Sequence, residues 1–139
     1  MGNTDTSNRI FVYSERTEYT GIFNETNVLE DKTLTVTLND SPASREFSAL
    51  LPLTLLLKDY SGEEKISDLP PRLSTAGSPA GTAAKKGDIT IFAPWGNMAI
   101  FYKPHGYVTG LIKLGKLDKP DALQIHPDKY SARFELVTE

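Results

Sequence analysis

The chain has 139 residues, a formal net charge of -3, no cysteine and two histidines. This length fits one domain with its own hydrophobic core, and the absence of cysteine excludes disulfides, thiolate metal sites and cysteine nucleophiles. Two histidines without a His-x-x-x-His pair give no basis for a transition-metal site, and the mildly acidic pI of about 5.4 argues against nucleic acid as a partner, so we expect no metal, no cofactor and no nucleic acid.

The N-terminal stretch is polar and acidic. We predict that residues 1–8 form a flexible tail and that residues 9–139 form a single domain. Residues 1–31 carry six acidic and two basic side chains, so most of the negative charge lies there. The stretch lacks the layout of a signal peptide, although a chain trimmed of its signal would look the same, so the sequence allows a cytoplasmic or an exported protein.

Apolar residues recur with a period of two along most of the chain, which indicates β-strands. Residues 49–57 are too short and too interrupted to cross a membrane, which takes about 20 apolar residues, so we expect no membrane span. Residues 94–97 predict a hairpin turn, and Gly115 predicts a bulge or a tight barrel corner. The predicted strands lie at residues 10–13, 33–38, 53–58, 88–93, 98–102, 111–117 and 132–136.

One segment breaks this period. Residues 42–51 predict a short helix that Ser41 caps and Pro52 ends, with Phe47 on its apolar stripe. Residues 70–87 are rich in Pro, Gly, Ser and Ala without a period and predict a long loop. Six or more strands with one short helix indicate a closed barrel or a sandwich, with the helix over one open end of a barrel.

Many short motifs follow one another in a fixed order along the chain. They are Leu50-Leu51-Pro52-Leu53-Thr54-Leu55, Lys58-Asp59-Tyr60, Glu64-Lys65-Ile66, Leu69-Pro70, Leu73-Ser74-Thr75, Gly77, Pro79-Ala80-Gly81, Gly87-Asp88-Ile89, Ala93-Pro94-Trp95-Gly96-Asn97, Ile100-Phe101-Tyr102 and Gly110-Leu111-Ile112-Lys113-Leu114-Gly115. This series resembles the bacterial cyclophilin-like fold proteins, best over residues 33–117. The resemblance implies a mainly β fold, a closed cyclophilin-like β-barrel of about eight strands with one capping helix near residues 42–51, but fold does not determine activity.

Prolyl isomerisation is the first activity to consider for a chain that resembles this family. It requires an apolar slot for the proline ring and a donor, usually arginine, that weakens the amide resonance. The chain lacks the Phe-x-x-Phe-Met-x-Gln-Gly-Gly-Asp stretch of true cyclophilins. Its arginines are poorly placed, because Arg45 and Arg133 are predicted to point outward, Arg72 lies in the long loop, and Arg9 and Arg16 lie near the N-terminus.

The region around Trp95 is the best candidate binding site. Aromatic side chains at loop ends give a large contact area at low entropic cost, which suits a peptide or a small ligand. In the competing interpretation Trp95 plugs a barrel end, and Phe101 or Tyr102, whichever faces inward, belongs to the core. We predict that Asp88 caps a turn and that Glu63 and Glu64, beside Lys65, lie at a solvated loop tip. The candidate ligand-binding residues are Trp95, Asn97, Phe101, Tyr102, His105 and Tyr107.

The sequence therefore predicts a non-catalytic module that binds an extended peptide or a small ligand near Trp95. Two alternatives stay open at this point. One is a divergent peptidyl-prolyl cis-trans isomerase that uses the same groove. The other is a structural or oligomerising module whose sheet edge pairs with a second copy, and the sequence does not determine the oligomeric state.

Overall fold

The computed structural model of the chain describes residues 8–14, 33–123 and 129–137. The acidic stretch predicted before residue 33 therefore lies mostly outside the described residues. Within these ranges the chain forms one helix, α1 (Pro42–Ala49), a short 3-10 turn (Pro120–Ala122) and ten strands. The strands are β1 (Arg9–Ser14), β2 (Thr33–Leu38), β3 (Leu53–Tyr60), β4 (Glu64–Asp68), β5 (Gly81–Ala84), β6 (Asp88–Phe92), β7 (Asn97–Phe101), β8 (His105–Thr109), β9 (Leu111–Leu117) and β10 (Tyr130–Leu136).

Eight of these strands close into an antiparallel barrel in the order β1-β10-β3-β4-β7-β6-β9-β2. The predicted mainly β, closed barrel is confirmed. A register shift between β6 and β9 makes Leu114 an extra residue, directly beside the predicted bulge position Gly115. No helix in the described part of the chain is long or apolar enough to cross a membrane.

The barrel interior holds the main apolar core, to which every barrel strand except β4 contributes fully buried side chains. Helix α1 closes this core as predicted. Ser41 Oγ accepts the backbone N–H of Ser44 at 3.1 Å, and Pro42 occupies the first turn, where no N–H is needed. Phe47 is fully buried and contacts the ring of Phe134 edge to face, with 6.1 Å between the centroids.

Three strands, β4, β5 and β8, lie where the sequence pattern predicted none. The predicted loop 70–87 contains β5, which pairs with β8 in a two-stranded ribbon outside the barrel. The predicted loop after Tyr102 contains β8. Asp88 follows this ribbon and caps a turn as predicted, since its carboxylate accepts the backbone N–H of Lys85 at 2.8 Å.

Candidate functional site

The β5–β8 ribbon covers part of the barrel's outer surface. Beneath it a second apolar cluster forms from Ile66, Ala84, Ala99, Phe101 and Leu111, with Phe92 and Val108 packed at its edge. All five residues of β7 are therefore buried. Alternate side chains of the strand face the barrel interior, and the others face outward toward the ribbon. Phe101 is buried on the outer face, so this residue and Tyr102 are both buried rather than only one of them.

A pocket of about 240 Å³ opens between this outer face and the ribbon, and we call it the aromatic slot. It brings together four of the six candidate residues, namely Trp95, Asn97, Phe101 and His105. Tyr102 and Tyr107 do not line it. The full lining is Tyr60, Glu64, Ile66, Phe92, Trp95, Asn97, Phe101, His105, Val108 and Leu111.

Trp95 forms the outer wall of the slot. It sits in the tight turn between β6 and β7, where its backbone N–H bonds to the carbonyl of Phe92 at 3.1 Å. Its ring meets Phe92 and Tyr60 edge to face, with centroids 5.3 Å and 5.9 Å away. Because 56% of Trp95 is exposed to solvent, it is not a buried plug of the barrel end.

Asn97 is the unusual polar group of the slot. It begins β7, only 4% of it is exposed, and its side-chain Oδ1 has no hydrogen-bond partner in the described part of the chain. Thr90, on the neighbouring strand, is equally buried but donates its hydroxyl to the carbonyl of Ala99 at 2.9 Å. A buried acceptor without a partner costs about 1–3 kcal/mol, so Asn97 carries an unmet capacity to bind a donor.

Tyr102 and Tyr107 have other surroundings. Tyr102 is 8% exposed and donates its hydroxyl to the carboxylate of Asp59. Burial, then the hydrogen bond to Asp59 and its charge, raise the pKa of Tyr102 to about 12, while the same hydrogen bond lowers the pKa of Asp59. Tyr107 is 63% exposed, and its hydroxyl lies above Gly81 on the ribbon.

The predicted solvated loop tip at Glu63 and Glu64 is only partly confirmed, because Glu63 lies in a turn but Glu64 does not. Ser61 and Gly62, both with positive φ, form the turn between β3 and β4, so Glu64 already begins a strand. Glu64 is half-buried against the slot, and Lys65 faces the opposite side of β4, is 2% exposed and places its Nζ 5.5 Å from the ring centroid of Tyr130. The Ser-Gly dipeptide was the available signal for this hairpin.

His105 stands at the end of the slot opposite Asn97. Its Nε2 lies 3.6 Å from a carboxylate oxygen of Glu63, and its ring packs 5.8 Å from the ring of Phe101. Burial raises the pKa of Glu64, an effect that His105 opposes and that Glu63 and Asp59 reinforce. In the described ranges no three histidine or carboxylate side chains group as a metal site would require.

A wider open groove of about 950 Å³ adjoins the slot, and both are lined by Tyr60, Ile66, Trp95 and Asn97. It lies where β3 and β4 separate. Their pairing covers only residues 58–60 of β3, whereas residues 53–57 pair with β10 alone among the described strands. We call this groove the fork groove, and Leu56, 52% exposed, lies on its wall.

Four of the five arginines lie in the described part of the chain, and none of these four lines the slot or the fork groove. Arg9 and Arg45 pair with aspartates, and Arg133 pairs with a glutamate on its own strand. Arg72 donates to the carbonyl of Ala93 at 2.8 Å, below the turn that carries Trp95.

A comparison with curated proteins finds no match to this chain. A comparison with protein-family models finds one that matches residues 28–135, well over half of the chain, and this family is described as the cyclophilin-like family. The match covers β2 to β9 and most of β10, and therefore includes every residue of the slot and its ribbon. The chain belongs to the cyclophilin-like family.

Proposed function

We propose that this domain binds an extended peptide without catalysis. The peptide backbone lies in the fork groove, and one of its side chains enters the aromatic slot. The observation that carries this proposal is the unpartnered Oδ1 of Asn97, which lies where the groove and the slot meet. A peptide N–H supplies the donor that this buried acceptor lacks.

The fork favours a peptide over a compact small molecule. Among the described strands, residues 53–57 of β3 pair with β10 on one side, and the groove runs along the side where β4 has separated, a layout that suits an extended chain. Leu56 and Trp95, both more than half exposed, supply apolar contacts along the same groove. An extended peptide in the fork groove can contact β3, Leu56 and Trp95 at the same time.

Binding without isomerisation is supported by the arginines. Arg9, Arg45 and Arg133 pair with carboxylates, and Arg72 donates to the carbonyl of Ala93. An isomerase needs a cationic donor at the proline nitrogen, and the described residues that line the slot include no arginine and no lysine.

The direct test is a solution titration of the full chain with N-acetylated, C-amidated heptapeptides selected on an array. Trp95 is the one tryptophan, so binding that covers it changes its fluorescence and reduces its quenching by acrylamide. We expect the rate of proline-peptide isomerisation to equal background. If no heptapeptide alters the fluorescence, or if sedimentation shows a dimer that Leu56→Asp dissociates, the groove is not a free peptide site.

Asn97→Leu separates binding from folding. The change removes an unsatisfied acceptor, so we expect the free energy of unfolding to stay the same or rise by about 1 kcal/mol, while peptide affinity falls about two- to tenfold. Thr90→Val is the matched control. It removes a satisfied hydrogen bond and is expected to cost about 1 kcal/mol of stability without changing affinity. Loss of stability in Asn97→Leu with unchanged affinity would contradict the proposal.

A further inference from the structure

The slot contains a carboxylate that no other described group neutralises directly. Glu64 starts β4 and lies with Ile66 on the face that lines the slot, whereas Lys65 points to the other side, toward Tyr130. The described ion pairs include Glu63 with His105 but none for Glu64. A half-buried carboxylate in aromatic surroundings is poorly solvated, so a cation that reaches it gains more than it would at an open surface.

The charges around this end of the slot are mostly negative. Asp59, Glu63 and Glu64 lie close enough for the first two to disfavour the ionised form of Glu64. The His105 ring lies 3.6 Å from Glu63, the charges of Lys65 and Lys103 act on Asp59, and no described lysine or arginine pairs with Glu64. The local field therefore attracts a positively charged group.

The walls of the slot suit the rest of a long cationic side chain. Tyr60, Phe92 and Trp95 line the slot and meet one another edge to face, and aromatic rings of this kind attract cations. Phe101 pairs with Glu64 and lies four residues from Asn97 on β7. The two ends of the slot are therefore about 13 Å apart along the strand. Between them the floor is apolar, as the methylene stem of arginine or lysine requires.

We propose that the aromatic slot is a recognition pocket for an arginine or lysine side chain of the bound peptide. Glu64 receives the cationic end, the aromatic walls enclose its stem, and Asn97 Oδ1 accepts a backbone N–H at the mouth. Arginine fits best, because its planar guanidinium stacks on aromatic rings and offers several donors to one carboxylate. This inference rests on the peptide-binding function proposed above.

The test compares two versions of the tightest-binding heptapeptide from the array, identical except that arginine is replaced by citrulline. Citrulline keeps the shape and removes the charge. We expect the arginine peptide to bind the wild-type chain at least about tenfold more tightly, as a charge-assisted hydrogen bond implies. In Glu64→Gln this ratio falls to about one, whereas Glu63→Gln, the neighbouring carboxylate paired with His105, retains most of it.

The outcomes are distinct. If heptapeptides bind but the selected ones contain neither arginine nor lysine, or citrulline binds as well as arginine, the charge recognition is wrong and peptide binding stands. If the discrimination survives in Glu64→Gln, the cation binds elsewhere. If no heptapeptide binds, the peptide function itself falls. The wild-type comparison of arginine with citrulline requires no variant to fold.

Discussion

Gly81 offers the sharpest structural test of the ribbon that roofs the aromatic slot. It begins β5 opposite Thr109 of β8. A Cβ atom added at Gly81 would lie 2.3 Å from the carbonyl oxygen of Val108, 2.8 Å from the Cα of Thr109 and 2.9 Å from the hydroxyl of Tyr107. Two of these three neighbours are backbone atoms, so the contact is not relieved by a side-chain rotation alone.

The size of the effect follows from these distances. To restore ordinary van der Waals contact, which begins at 3.4 Å, the two strands must separate by about 1 Å. Overpacking of this kind costs about 1–3 kcal/mol. For a domain of this size, each kcal/mol lowers the melting temperature by about 4 °C, so Gly81→Ala should lower it by about 4–12 °C.

The assay is thermal and urea unfolding of the full chain, followed by circular dichroism. Gly106→Ala is the matched control, because Gly106 lies in β8 of the same ribbon and an added Cβ meets nothing within 4 Å there. That variant should be neutral or stabilised by up to about 1 kcal/mol, since alanine reduces the entropy of the unfolded chain. Equal stability of the two variants would refute the close β5–β8 contact.

Two further experiments test the core and the Tyr102 contact. Phe47→Ala should lower the free energy of unfolding in urea by about 3–5 kcal/mol, because the ring is fully buried against Phe134, and a loss below about 1 kcal/mol would show that α1 does not close the core. In an ultraviolet titration the ionisation of Tyr102 should occur near pH 12, be lost in Tyr102→Phe and shift down in Asp59→Asn, while Tyr13 and Tyr130 also titrate above 10.0 in all three proteins. Folding raises the pKa of Tyr102 from 10.0, so the stability that Tyr102 contributes is complete below pH 10 and is lost as the pH rises through about 12. A Tyr102 titration that is unaltered in Asp59→Asn would contradict the contact between the two side chains.

The sequence predicted the barrel because each long strand has one face in a common core. Residues 33–38 and 132–136 alternate cleanly, and both lie in the barrel as expected. The capping helix was equally readable, since Ser41 and Pro42 mark its start. Strand β5 was missed because Gly81–Ala84 is short, small and embedded in a Gly- and Ala-rich stretch without a period.

The site was only partly predictable, because burial on the outer surface depends on what covers it. The aromatic residues near Trp95 pointed to a binding region, and four of the six candidates line one slot. Glu64 was missed because a pair of glutamates beside a lysine is usually a solvated surface. Glu64 is half-buried because the ribbon and Trp95, both distant from it in sequence, pack around it. The local sequence around Glu64 does not indicate this packing.

The inner and outer faces of the barrel differ in the room that they leave for a ligand. In this protein the inner face of the barrel is filled by the side chains of the main apolar core. On the outer face, the ribbon covers β7 fully but leaves Asn97 unpartnered, and β3 and β4 separate beside it. A buried polar atom without a partner destabilises the free domain, and a ligand that donates a hydrogen bond to it at the junction of slot and groove would remove that cost.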